Sequence, residues 1–188
     1  MLKRSLAAAA LVLCGTSAHA AGLDVSLSDK TAHLQYLVDS GSLGYGGADI
    51  GFGLFYDEDE DYIGTGNLLV TSNPASGNNF QFGVGVKGYA GELDGVNESV
   101  GAIGIGGLIR YIIPSSTPMG IALEGYEAPD ITSFSDTESL SEVMARFEIE
   151  VMPSTRGYIG YRFLEPELKR AGDVELDDNV HVGIRITF

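Results

Sequence analysis

Apolar and polar residues alternate with a period of two from residue 22 to the C terminus, in runs separated by clusters of Gly, Pro, Asn, Asp and Ser. The pattern is cleanest at the end of the chain. There Val180, Val182, Ile184, Ile186 and Phe188 share one side, while His181, Gly183, Arg185 and Thr187 share the other, because successive side chains of a strand point to opposite faces. Residues 139–151 repeat it, with Val143, Ala145, Phe147, Ile149 and Val151 alternating with Glu142, Met144, Arg146, Glu148 and Glu150. Ten such segments are predicted, over residues 22–28, 31–38, 47–56, 62–71, 79–90, 99–113, 119–126, 139–151, 156–164 and 179–188. No segment keeps a helical period. The second and seventh alternate most weakly, so eight and twelve strands are the competing counts.

Alternation alone fits a soluble sandwich as well as a membrane barrel, and the content of the polar face separates them. A soluble sheet fills that face with large solvated side chains. Here it carries Gly51, Gly53, Gly83, Gly85, Gly104, Gly106, Gly160 and Gly183, and charges of nearly balanced sign. Asp24, Asp49, Glu124, Glu142, Glu148 and Glu150 stand against Lys87, Arg110, Arg146, Arg162 and Arg185. Small residues and matched ions suit a confined lumen. The apolar face is nearly free of charge, as contact with lipid demands, since a Lys or Arg at the midplane of a barrel costs about 2–4 kcal/mol. Aromatic residues gather near segment ends, as at Tyr56, Tyr62, Phe80, Tyr111, Tyr161, Phe163 and Phe188, in the manner of interfacial girdles.

Backbone groups in lipid must all be satisfied internally, so strands cross a membrane only as a closed barrel. The predicted fold is therefore an all-β, closed antiparallel up-and-down transmembrane barrel of about ten strands. With an even count both termini lie at one end, together with the short, acid-free connections Pro114–Pro118 and Met152–Thr155. Acids concentrate at the other end, in Asp57–Asp61, Gly91–Glu98, Glu127–Glu138 and Glu165–Asp178, all expected as loops. Short inner turns and longer outer loops are the usual asymmetry of such barrels. Ten strands fall between eight, where side chains fill the interior, and sixteen, where a channel opens, so a narrow, largely plugged lumen is expected.

The N terminus changes the picture of where the chain resides. Lys3 and Arg4 precede an apolar stretch from Leu6 to Leu13 and then Ala18-His19-Ala20, which together have the form of a cleavable secretory signal. Residues 1–20 are expected to be the signal peptide and 21–188 the barrel. The one cysteine, Cys14, falls in the discarded part and follows Leu13 where lipoprotein signals place a small residue, so neither a disulfide nor a lipid anchor is expected. Loss of Lys3 and Arg4 leaves 9 basic residues against 26 acidic ones. That balance excludes nucleic acid as a partner and leaves outer-membrane lipid and lipopolysaccharide, with a monomer expected.

The run Gly125-Tyr126-Glu127-Ala128-Pro129-Asp130, the segment Gly157-Tyr158-Ile159-Gly160-Tyr161-Arg162 and the ending Val182-Gly183-Ile184-Arg185-Ile186-Thr187-Phe188 resemble the YfaZ family of Gram-negative envelope proteins. The resemblance runs over the whole mature chain. It implies an envelope location and no catalytic residues to carry over. Separately, Phe188 with Val180, Val182, Ile184 and Ile186 before it looks like the C-terminal signal read by the outer-membrane assembly machinery, a feature shared by many barrels.

Candidate chemistry is sparse. His33 and His181 are the imidazoles of the mature chain. His181, on the inner face, is placed to meet Glu148 or Glu150 in a membrane-embedded hydrolase, but a hydrogen-bonded lumenal role is the simpler expectation, and His33 is expected near a turn in solvent. The Asp57–Asp61 run suits hard cations yet lacks glycine-punctuated calcium spacing; a solvated loop, with divalent cations bridging it to lipopolysaccharide phosphates, is the milder expectation. Gly101-x-x-Gly104-x-Gly106-Gly107 lies inside a strand with no following helix, so it is not a nucleotide loop. No cofactor, no dedicated metal site and no enzymatic activity are expected. Lys87, Arg110, Glu142, Arg146, Glu148, Glu150, Arg162 and Arg185 form the predicted lumen network, read as salt bridges that close the lumen, with a selectivity filter as the competing reading. The expected function is structural or narrow-channel; a soluble periplasmic barrel holding an apolar ligand is the alternative.

Overall fold

The computed structural model describes residues 21–39, 48–72 and 78–188; the predicted signal peptide lies outside them. Ten long strands make one antiparallel sheet: β1 (Ala21–Leu27), β2 (Thr31–Asp39), β3 (Ala48–Asp57), β4 (Tyr62–Thr71), β5 (Phe80–Leu93), β6 (Glu98–Ile113), β7 (Met119–Ala128), β9 (Thr137–Met152), β10 (Thr155–Leu168) and β12 (Asp177–Thr187). Two short pieces, β8 (Ser133–Ser135) and β11 (Gly172–Asp173), add to it near the loop end. Each long strand pairs with its neighbours in chain order, and β12 pairs with β1. The barrel is therefore closed. The ring closes between β1 and β12, where Ala21 and Phe188 exchange backbone hydrogen bonds of 2.9 and 2.8 Å, leaving no open edge.

Local sequence explains the sharp turns at both ends. Between β9 and β10, Pro153 supplies the fixed φ that a two-residue turn needs first, and Ser154 takes a left-handed φ of 64°. Between β3 and β4, the Asp57 carboxylate accepts the amides of Asp59 and Asp61 at 2.9 and 3.1 Å, and Asp61 in turn accepts the amide of Asp94 at 2.6 Å. This corrects the expectation of a wholly solvated acidic loop. Asp57 and Asp61 are buried, because their oxygens satisfy backbone donors that the turn would otherwise leave unpaired.

Three of the expected loops are also shorter than the sequence suggests. Gly91–Leu93, Thr137–Glu138 and Glu165–Leu168 continue β5, β9 and β10, and Ser133–Ser135 pairs with β6. These extensions enclose a second kind of interior. Phe55, Ile63, Leu93, Val100, Leu140, Leu164 and Leu168 fill the loop end of the barrel as a dry apolar plug. The inner face is therefore polar only through the middle and terminal part of the barrel. At its loop end these apolar residues pack against one another across the interior.

Candidate functional site

The middle of the barrel holds the charged residues, each placed by the parity of its strand. Lys87 on β5 reaches across to Glu142 on β9, with Nζ 2.9 and 2.6 Å from the two carboxylate oxygens. Tyr89, two positions on and so on the same inner face, donates its hydroxyl to Glu142 at 2.6 Å. The Lys87 ammonium also lies 5.4 and 5.5 Å from the ring centres of Tyr89 and Tyr126, within cation–π range. A buried carboxylate accepting three hydrogen bonds from two donor groups, and a buried ammonium near two rings, form an arrangement that offsets much of the desolvation cost.

A second group lies nearer the terminal end. Arg146 donates Nε to Glu148 at 2.5 Å and stands 3.7 Å from Glu124 on β7. Glu148 also draws Arg110 at 3.5 Å and Arg156 at 3.9 Å. Farther round the same side of the ring, Arg185 of β12 pairs with Asp24 of β1 at 2.6 Å, and the Tyr158 hydroxyl donates to the same carboxylate. Arg162 approaches Asp177 at 3.4 Å and Ser26 at 3.3 Å.

Of the eight predicted network residues, the structure pairs Lys87 with Glu142 and joins Arg110, Arg146 and Glu148; Arg162 and Arg185 find partners on β12 and β1 instead. Glu150 makes no ion pair among the described residues. Sequence reasoning missed Asp177, assigned to a loop, although it continues the inner parity of His181, Gly183 and Arg185 back along β12. It also missed Tyr89 and Tyr158, which share the inner parity of Lys87 and Arg162.

His181 does not meet Glu148 or Glu150. Its ring is 2% exposed and stands edge-on to Tyr158, 5.9 Å between centres, and neither ring nitrogen has a hydrogen-bond partner among the described residues. Arg146 occupies the carboxylate that a catalytic histidine would need. His33, expected in solvent, faces the lumen, where with Gln35, Asn67, Lys87 and Arg162 it lines a central cavity of about 40 Å³. That is space for a few waters at most. Pairs of opposite sign rather than a ring of one sign occupy this section, and the arrangement suits closure more than selective passage. Among the described residues no group of three or more His, Asp or Glu is arranged to hold a metal ion.

The outer wall is the converse of the inner one. Phe52, Val84, Ile105, Ile121 and Val182 all project from it, with Val84, Ile105 and Val182 exposed by 71, 66 and 59%. The proposed C-terminal signal residues Val180, Ile184, Ile186 and Phe188 stand on the same wall. Above this band the outward residues become polar and pair between strands: Tyr62 with Glu92 at 2.6 Å, Ser141 with Glu127 at 2.6 Å and Ser139 with Glu167 at 3.0 Å.

No curated protein matches the chain. A model of the YfaZ precursor family matches residues 1–188, and the closed ten-stranded antiparallel barrel is the fold that the alternation predicts. The chain belongs to the YfaZ family.

Proposed function

We propose that the mature chain is a monomeric outer-membrane barrel with a closed lumen, acting as a structural element of the envelope and not as a channel or an enzyme. The single observation that carries this reading is the inversion of polarity across the wall. Large apolar side chains face outward while Arg146, Glu148, Glu142 and Lys87 are buried inside. A soluble protein avoids a contiguous exposed apolar surface of this kind, whereas lipid is the solvent that stabilises it. Family membership and the cleavable-signal form of the N terminus support export to the same place.

Closure rests on two seals in series, the central ion pairs and the apolar plug. The soluble-barrel alternative fits the outward apolar wall less well, and the charged centre of the lumen, with a cavity of about 40 Å³, offers an apolar ligand little room. Phe188 and the outward residues before it are the segment we assign to the assembly machinery, and the apolar belt is the surface that lipid and lipopolysaccharide cover. Fractionation of cells tests the proposal. The protein should extract with the outer membrane and migrate on a gel as a heat-modifiable band; release with the soluble periplasmic contents would reject it.

A further inference from the structure

The lumen is not filled uniformly. Toward the end that carries both termini, beyond the Arg146–Glu148–Glu124 layer, the described residues leave a cavity of about 290 Å³. Its polar lining is Gln81, Arg110, Glu148, Glu150 and Arg156, and Ile112, Pro118 and Met119 form its apolar wall. The charges here are badly matched, unlike those deeper in the barrel. Three guanidiniums converge on one carboxylate: Glu148 holds Arg146 at 2.5 Å, which leaves Arg110 at 3.5 Å and Arg156 at 3.9 Å. Arg110 keeps Gln81 as a second partner at 3.0 Å, yet its buried Nε–H has no acceptor. Glu150 stands directly across from Arg156 in the strand register without pairing to it.

Such a site has an under-used guanidinium pair, Arg110 and Arg156, and an unpaired carboxylate, Glu150, on the strand between them. Arginine favours planar carboxylate ligands because its donors are arranged as a fork. A free carboxylate a short way off favours an ammonium. We infer that this vestibule binds a small zwitterion of the amino-acid class, its carboxylate held by Arg110 and Arg156 and its ammonium by Glu150. The two seals above it make the vestibule a blind site facing the periplasm on the reading above, so the ligand is held and not conducted. The inference goes beyond the structural role and does not require membrane insertion.

The test is a titration of the refolded mature chain in detergent micelles, read by calorimetry and by amide shifts, with L-alanine, acetate and methylammonium as probes. Saturable binding of alanine is expected, at least tenfold tighter than either half-ligand, with shifts at Gly120 and Gln81. Arg110→Gln should weaken alanine and acetate together by tenfold or more. Glu150→Gln should weaken alanine and methylammonium and leave acetate unchanged. Both variants must retain the heat-modifiable band, and Arg156→Gln replaces Arg110→Gln if the latter does not fold. Failure of alanine to saturate, or alanine binding that survives Glu150→Gln undiminished, overturns the assignment.

Discussion

Lys87 and Glu142 show at the scale of single residues how a charged lumen is stable. Each is deeply buried, and each depends on the other. Glu142→Leu would strand the ammonium and the Tyr89 hydroxyl, and breaking a buried pair from one side costs about 3–5 kcal/mol. The double variant Lys87→Met, Glu142→Leu should recover most of that loss in urea unfolding of the folded barrel; equal stabilities of the single and double variants would contradict the pairing. Glycines show the cost of space. A Cβ at Gly160, on the inner face, would lie 2.7 Å from His181 Nε2 and 2.8 Å from the Ala145 carbonyl, whereas at Gly66, on the outer face, its nearest neighbour is Phe52 at 4.0 Å. Gly160→Ala should therefore destabilise by about 1–3 kcal/mol while Gly66→Ala leaves the unfolding midpoint nearly unchanged. Beyond the apolar belt, Asp136 is held below the usual carboxylate range because its charged form accepts the amide and hydroxyl of Ser99 at 3.2 and 3.1 Å. A depressed folded pKa contributes stability above the unfolded value and loses it as pH falls through the folded one. Amide exchange at Ser99 should be slow at neutral pH and accelerate, after correction for intrinsic rate, only below the ordinary aspartate range. Asp136→Asn should abolish that pH dependence.

Strands are the level at which the sequence was most legible. Ten segments stand where alternation put them, because a closed wall with an apolar outside and a polar lumen imposes opposite polarity on every second residue. Their loop-side ends were not legible, for the same reason working in reverse. Above the apolar belt the outward side faces water and the inward side faces the plug, so the phase of the pattern flips within one strand. On β10, Tyr161 and Phe163 face outward and Arg162 inward, but higher up Glu165 and Glu167 face outward and Leu164 and Leu168 inward. Acids on those positions read as loop when they are the solvated face of a continuing strand. The site was legible only in part. Parity assigns Lys87 and Arg146 to the lumen, but which acid each meets depends on distances across the barrel that neighbouring positions in the chain do not encode. Asp24 and Asp177 became partners of Arg185 and Arg162 through the closure of β12 on β1, a contact between the two ends of the chain.

As a whole molecule the barrel holds an apolar plug and a layer of central ion pairs inside an apolar belt, and on the proposed function these are two layers of closure. The plug and the central ion pairs act in series, so a refolded protein in a planar bilayer should show no steady conductance, and loosening either alone, by Arg146→Ala or by Leu140→Gly, should leave it closed. Stepwise channels from the unmodified chain would contradict the sealed lumen. The central claim concerns which way the apolar face looks, and the chain offers a clean probe because it contains no tryptophan. Val182→Trp and Val84→Trp, placed on opposite parts of the outer wall, report from single sites, with Glu58→Trp in the outer loop as reference. In vesicles containing brominated acyl chains, the account predicts blue-shifted emission and strong quenching at positions 182 and 84 and neither effect at 58. Water-like emission at 182 and 84, untouched by the brominated lipid, would show that the greasy wall does not meet the membrane and would contradict the account.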